Sequence, residues 1–202
     1  MLKNYIALDL ETTGFSPSSS DIIEIGAWKI KDGVVKEKFC TYVRPYVYIP
    51  RSVEQLTGIT MDTVKDAPTI EEILFEFHSW CEDYAFVGHN ISFDYSFLVE
   101  KGKNVGLDFT LEKMRKYVDT LKLSRSNLNL SSNKLEDLVN YFNISLENNK
   151  LHSASVDSYM VKLIIDRFNE ILGNSSQLEP VLFDEIDKNY GKVTNMNTLS
   201  FE

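Results

Sequence analysis

The sequence predicts a mixed α/β layer fold, and three observations carry that prediction. An apolar run at residues 4–14, NYIALDLETTG, reads as a strand. Two strand-like runs, 21–31 and 34–43, are joined by Asp32-Gly33, the turn dipeptide that demands antiparallel pairing. Beyond residue 69, stretches of helical periodicity alternate with short apolar strands. Strands joined by a hairpin and followed by alternating helices and strands give a mixed sheet flanked by helices.

Taken in order, residues 4–14 place Ile6, Leu8 and Leu10 on one strand face and Asp9 and Glu11 on the other. Gly14-Phe15-Ser16-Pro17 and the serines after it form a loop. After the hairpin, Pro45 and Pro50 bracket an irregular stretch, and residues 52–58 predict a short helix stopped by Gly58. Thr69 and Glu72 form a capping box, and Ile70, Ile73, Leu74, Phe77 and Cys81 form one apolar stripe, so 70–82 is a helix. Ala85-Phe86-Val87-Gly88 reads as a short buried strand, followed by a helix from Phe93 to a stop at Gly102. A helix over 111–116 precedes a last short strand at 117–120. Asn133 with Glu136 caps a helix running to Asn143. The loop 148–150 opens a final long helix, buried along Val156, Met160, Leu163, Ile164 and Phe168.

At 202 residues the chain is long enough for one domain with a proper core. Its 21 basic residues against 30 acidic ones give a formal charge of -9, which argues against gripping long duplexes by phosphate neutralisation. An enzyme that holds a few terminal nucleotides through metal ions is not excluded, because cations bridge acidic protein to acidic substrate. The two cysteines, Cys40 and Cys81, are too few for a disulfide framework and too far apart for a zinc knuckle. No leader-like or membrane-spanning apolar stretch is evident, so a cytoplasmic protein without membrane contact is expected.

Four acids stand at predicted element ends: Asp9 and Glu11 on the first strand, Asp94 just beyond the fourth, and Asp157 early in the last helix. Two ionised carboxylates 4 Å apart repel by about 4 kcal/mol at an effective dielectric near 20, so converging acids need a cation, a shared proton or a solvent outlet. Oxygen-only ligands select magnesium or manganese over zinc. Two such ions clamp the attacking and leaving oxygens of a phosphoryl displacement, and an imidazole nearby takes the proton of the attacking water. His152, five residues before Asp157, falls in the loop that feeds the last helix.

Asp-x-Glu-Thr-Thr-Gly at 9–14, His-Asn-x-x-Phe-Asp at 89–94 and His-x-Ala-x-x-Asp at 152–157 resemble the three motifs of the DnaQ-like 3′–5′ exonucleases, in the DEDD branch with histidine. That family includes ribonuclease T, oligoribonuclease, and the proofreading epsilon subunit and PolC-type exonuclease domains of bacterial DNA polymerase III. The resemblance spans residues 4 to about 170. It implies a ribonuclease-H-like fold with a five-stranded mixed sheet, and two bound Mg2+ or Mn2+ ions. It further implies that Asp9 bridges both ions, that Glu11 and Asp157 complete the ion that activates water, that Asp94 serves the second ion, and that His152 is the general base. Thr12, Thr13 and Gly14 resemble the part that touches the terminal nucleotide. Leu56-Thr57-Gly58-Ile59 stands where many relatives have His-Gly-Ile; Thr57 is a departure, while Leu56 and Ile59 are candidates to wedge against terminal bases. His89 and Asn90 read mainly as holding the strand-to-helix turn, with substrate contact as the lesser role. Glu24, inside an apolar strand, either pairs with a neighbour or faces solvent.

These readings divide the chain into an exonuclease domain, 1–173, and a linker and C-terminal tail, 174–202. The expected function is metal-dependent 3′–5′ hydrolysis of single-stranded or frayed DNA ends to nucleoside 5′-monophosphates, in proofreading or repair. The alternative is an exoribonuclease that trims RNA ends. A non-catalytic docking module ranks below both, because all four acids and the histidine are present. The tail is a candidate contact for a DNA polymerase or a sliding clamp, although residues 177–183 match the clamp-binding pattern only at too long a spacing.

Overall fold

The structure, a computed structural model, describes residues 1–110, 116–145 and 152–182. The expected helix at 111–116 and the loop at 148–150 fall, wholly or nearly so, outside the described residues. Strands β1 (Tyr5–Thr12), β2 (Ile22–Lys31) and β3 (Val34–Tyr42) pair antiparallel in sequence order. Asp32 and Gly33 both take positive φ, 55° and 78°, and their twist matches that of the flanking strands.

Two short strands, β4 (Phe86–Gly88) and β5 (Lys116–Asp119), then run parallel to β1 on its other side. They complete the five-stranded mixed sheet that the motifs implied. A sixth strand, β6 (Val181–Leu182), lies antiparallel to β5 and gives the order β3-β2-β1-β4-β5-β6. Residues 176–182 were expected in the linker and tail. Within them a 3-10 turn over Ser176–Leu178 buries Leu178 in the core, and Val181–Leu182 form the edge strand.

Helices cover both faces. Beneath Ile6, Leu8 and Leu10 pack α3 (Ile70–Cys81) and α4 (Ser92–Asn104), through Leu74, Phe77, Phe97 and Leu98. The opposite face, carrying Tyr5 and Ala7 of β1, packs against α5 (Thr120–Asn127), α6 (Leu135–Tyr141) and α7 (Ala154–Leu172). Two small helices, α1 (Arg51–Thr57) and α2 (Met61–Val64), close a third apolar cluster of Ile23, Ile49, Ile59 and Val64.

Several boundaries differ from the sequence reading for identifiable reasons. Helix α4 does not stop at Gly102 but continues to Asn104. Gly102 is needed because a Cβ there would meet the Phe109 ring at 2.7 Å and the Leu107 carbonyl at 3.0 Å. Helix α6 takes its cap from Asp137, which accepts from the Lys134 amide at 2.8 Å, rather than from the Asn133/Glu136 pair. Helix α5 is absent from the sequence reading altogether. The capping box of α3 forms as expected, with Glu72 accepting from the Thr69 amide at 2.7 Å, and α1 ends at Gly58 with φ 75°.

Candidate active site

The parallel strands β1, β4 and β5 all point their carboxyl ends to one end of the sheet, where ligands of open α/β sheets bind. Asp9 and Glu11 project there from β1 on the face covered by α7. Strand β4 stops at Gly88, so the Leu10 amide lies past the end of its strand partner. Asp94, in the first turn of α4, takes that amide on Oδ1 at 2.9 Å, which lays a buried carboxylate beside β1 between Asp9 and Glu11. Asp157 enters from the face that Asp9 and Glu11 share, opposite to α4, in the first turn of α7.

Asp9, Glu11 and Asp157 each offer a carboxylate oxygen within 4.8 Å of the others. Among the described residues no ion pair neutralises any of these acids or Asp94. Burial, followed by the charges of Asp94, Glu11, Asp157 and Glu24, drives the Asp9 carboxyl well above the usual carboxylate range. Burial, then Asp157, Glu24 and Asp94, pushes Glu11 up to about 8. Burial and Glu24 push Asp157 up to about 7 against the opposing hydrogen bond from the His152 amide. Asp94 is raised chiefly by burial. Such a set is at rest only with protons or a cation among its oxygens. It fits a hard divalent cation, because its donors are all carboxylate oxygens and no basic side chain among the described residues pairs with them.

His152 precedes α7 with φ 73°, an arrangement that histidine adopts more readily than most residues. Its amide points at both Asp157 oxygens, at 3.1 and 3.3 Å, and its residue is exposed, so the imidazole is open to solvent. The second motif is held by a network whose partners, Asp119 and Thr120, sequence reasoning did not name. Asn90 takes φ 64°, and its amide donates to Asp119 Oδ1 at 2.9 Å. The same oxygen caps α5 through the Leu121 amide. His89 Nδ1 meets the Thr120 hydroxyl at 3.0 Å, which in turn donates to the Gly88 carbonyl at 3.1 Å. Burial lowers the His89 ring to about 4. It is therefore neutral at neutral pH and gives a phosphate no charge. The signal for Asp119 was present in the sequence as an acid at a strand end, the same position that marks an N-cap.

The expected substrate contacts divide. Thr13 is buried and accepts from the Asp21 amide at 2.9 Å, which closes the loop after β1. Thr12 donates to the Gly14 carbonyl at 2.7 Å. Leu56 is exposed, whereas Ile59 is buried against Ile23, Ile49 and Val64, so Leu56 alone of the two is free to meet a base. Exposed Phe15, in edge contact with Phe93 at 6.5 Å between centroids, adds an aromatic surface that sequence reasoning did not single out. Glu24 does pair with a neighbour: it accepts from the first residues of α7.

The exonuclease family model RNase_T matches residues 6–165, which takes in all three motifs. The chain belongs to this exonuclease family. It is 36% identical over 188 residues to a PolC-type DNA polymerase III of Caldanaerobacter subterraneus subsp. tengcongensis, covering 91% of this chain and 13% of that protein. It is 38% identical over 169 residues to the PolC-type DNA polymerase III of Thermotoga maritima, covering 83% and 12% respectively. The chain thus spans about an eighth of the length of these relatives. Its fold is the ribonuclease-H-like one of E. coli exonuclease I in complex with a dA16 oligonucleotide. There the TM-score is 0.74 at 18% identity, over 83% of this chain and 41% of that one. Exonuclease X, in complex with 5′ overhanging duplex DNA, shares it with a TM-score of 0.68 at 23% identity, over 89% and 97%. Among the described residues no helix is long and apolar enough to cross a membrane.

Proposed function

We propose that this exonuclease removes nucleotides one at a time from the 3′ end of single-stranded or frayed DNA and releases nucleoside 5′-monophosphates, as a proofreading or repair activity. The observation that carries the reading is the trio Asp9, Glu11 and Asp157, with oxygens within 4.8 Å and, among the described residues, no ion pair to a basic side chain, flanked by buried Asp94. In this reading Asp9, Glu11 and Asp157 hold one Mg2+ or Mn2+, and Asp9 with Asp94 holds a second. When bound, such cations would lower the pKa of the attacking water and offset the charge of the phosphate being cleaved. The protein's own part is to fix the acids on rigid elements, and to carry a proton. His152 accepts it from the attacking water at an imidazole that faces solvent and can pass it on.

Stacking on Phe15 and apolar packing on Leu56 suit a terminal base held without regard to its identity. The names of the relatives favour DNA. The PolC-type relatives are DNA polymerases, and the two solved exonucleases hold DNA. A polymerase partner, a clamp contact through the C-terminal tail and a cytoplasmic location belong to the same proposal.

The test is digestion of 3′-labelled and 5′-labelled DNA and RNA oligonucleotides with magnesium, manganese or chelator, beside Asp9→Asn. Metal-dependent stepwise shortening from the 3′ end of DNA, with RNA spared, is the expected result. Preference for RNA would move the protein to RNA-end trimming, and no cleavage of either would refute the enzymatic reading.

A further inference from the structure

Strand β2 presents three alternate residues, Glu24, Gly26 and Trp28, to the start of α7. Glu24 is 6% exposed, and its two oxygens are both in use: Oε1 accepts from the Ser153 hydroxyl at 3.0 Å and Oε2 from the Ala154 amide at 2.9 Å. Gly26 leaves the gap into which the helix settles, since a Cβ built on it would collide with the Ala154 carbonyl and the Ser155 amide. Trp28 donates its indole N–H to the Ser155 carbonyl at 3.0 Å, and its ring packs on Tyr159 at 5.0 Å. One strand therefore grips three consecutive helix-start residues, Ser153, Ala154 and Ser155, at their backbone or short side chains.

The register makes this grip relevant to chemistry. Gly26 pairs with Asp9 and Glu24 pairs with Glu11, so the residues that seat the helix lie directly across from the two acids of β1. The helix start seated there carries Asp157 and the His152 loop. We propose that Glu24, Gly26 and Trp28 form a docking rail that sets the distance between the α7 groups and the β1 acids, with Glu24 as a positioning residue rather than a metal ligand. The proposal rests on the exonuclease reading for its kinetic consequence, but not for its metal-binding one. A carboxylate spent on two helix-start donors satisfies two amide or hydroxyl groups that α7 itself cannot. It also fixes the helix along its own axis, the direction in which a slip would carry Asp157 away from Asp9. Misplacement of about 1 Å at a reacting centre costs on the order of 10²-fold in rate.

Glutamine and alanine at position 24 separate positioning from charge, because both remove the charge and only glutamine keeps an acceptor for the Ala154 amide. The full chain is stripped with chelator and titrated with Mn2+ by calorimetry, and kcat and KM are measured on a 3′-labelled DNA oligonucleotide. Glu24→Gln is expected to stay within about 3-fold of wild type in all three quantities. Glu24→Ala is expected to lose about 10²-fold in kcat with KM nearly unchanged, and to bind Mn2+ about 10-fold more weakly. Equal losses in both variants would overturn positioning in favour of charge, and wild-type behaviour of Glu24→Ala would overturn any role. Should Glu24→Ala fail to fold, the double variant Ser153→Ala with Trp28→Phe removes two of the grips while keeping the indole's packing role in part. A kcat drop of about 10-fold supports the rail, and an unchanged kcat overturns it. If wild type digests nothing, the exonuclease reading fails, and the rail still stands or falls on the Mn2+ titration.

Discussion

At the scale of single residues, the site trades stability for the capacity to bind a cation. Asp9 is the acid most beset by its neighbours, with Asp94, Glu11, Asp157 and Glu24 all disfavouring its charge. Asp9→Asn should therefore abolish turnover and raise the melting temperature of the chelator-treated protein. For a domain of this size a gain of about 1 kcal/mol corresponds to roughly 2–4 °C. Melting curves in EDTA beside digestion assays check both halves, and a lower melting temperature would show that the carboxylate is held by bonds that outweigh the repulsion. His152 makes the opposite prediction. Its side chain is exposed, so His152→Ala should leave melting unchanged while lowering kcat by roughly 10²–10⁴. Full turnover in that variant would remove the general-base role.

At the scale of elements, what was legible followed how local the determinant is. Strand β1, the β2–β3 hairpin, α3 and α7 are written in alternation, a turn dipeptide, a capping box and an apolar stripe, and all formed where those signals stand. Helix α5 was not legible, because Leu123 is the one apolar side chain that Thr120–Asn127 buries and its start is fixed by Asp119, whose other partner is 29 residues away at Asn90. Strand β6 is two residues long and has no period to read. The convergence of Asp9, Glu11 and Asp157 was legible from spacing, but the partners of Glu24 were not, since they appear only once α7 lands on β2. Ile59 misled because an apolar side chain suits a core and a base-wedge equally well. The α5 case yields a prediction. Asp119 holds the Asn90 and Leu121 amides with one buried oxygen, so Asp119→Ala should leave both unsatisfied and destabilise the protein by about 2–4 kcal/mol in urea unfolding. The same variant should loosen the turn that carries Asp94 and lower activity, and a loss under 1 kcal/mol would mean that water replaces the carboxylate.

At the scale of the whole molecule, the surplus of negative charge matters less than where four of those charges sit. Glu11 is pushed up to about 8, Asp157 to about 7, and Asp9 and Asp94 are raised as well. A carboxyl with a raised folded-state pKa holds a proton that the unfolded chain has released. It contributes stability that is fully present below the unfolded value and is lost as pH rises through the folded value. Each such proton makes stability fall by about 1.4 kcal/mol per pH unit within its window. His89 acts in the reverse sense. Lowered to about 4, it contributes stability that is present above the ordinary imidazole value and lost as pH falls toward 4. Below about pH 6.5 the two effects oppose one another, and between pH 6.5 and 8 the acids act alone. In chelator, the melting temperature should therefore fall from pH 6.5 to 8. With saturating magnesium the cation takes the place of the protons, so the fall should flatten and the gap between the two curves should widen with pH. Asp157→Asn should reduce the slope in chelator and shrink the magnesium-dependent gap. A slope in chelator that is the same in that variant as in wild type would locate the pH dependence elsewhere in the molecule and remove the electrostatic cost assigned to the site.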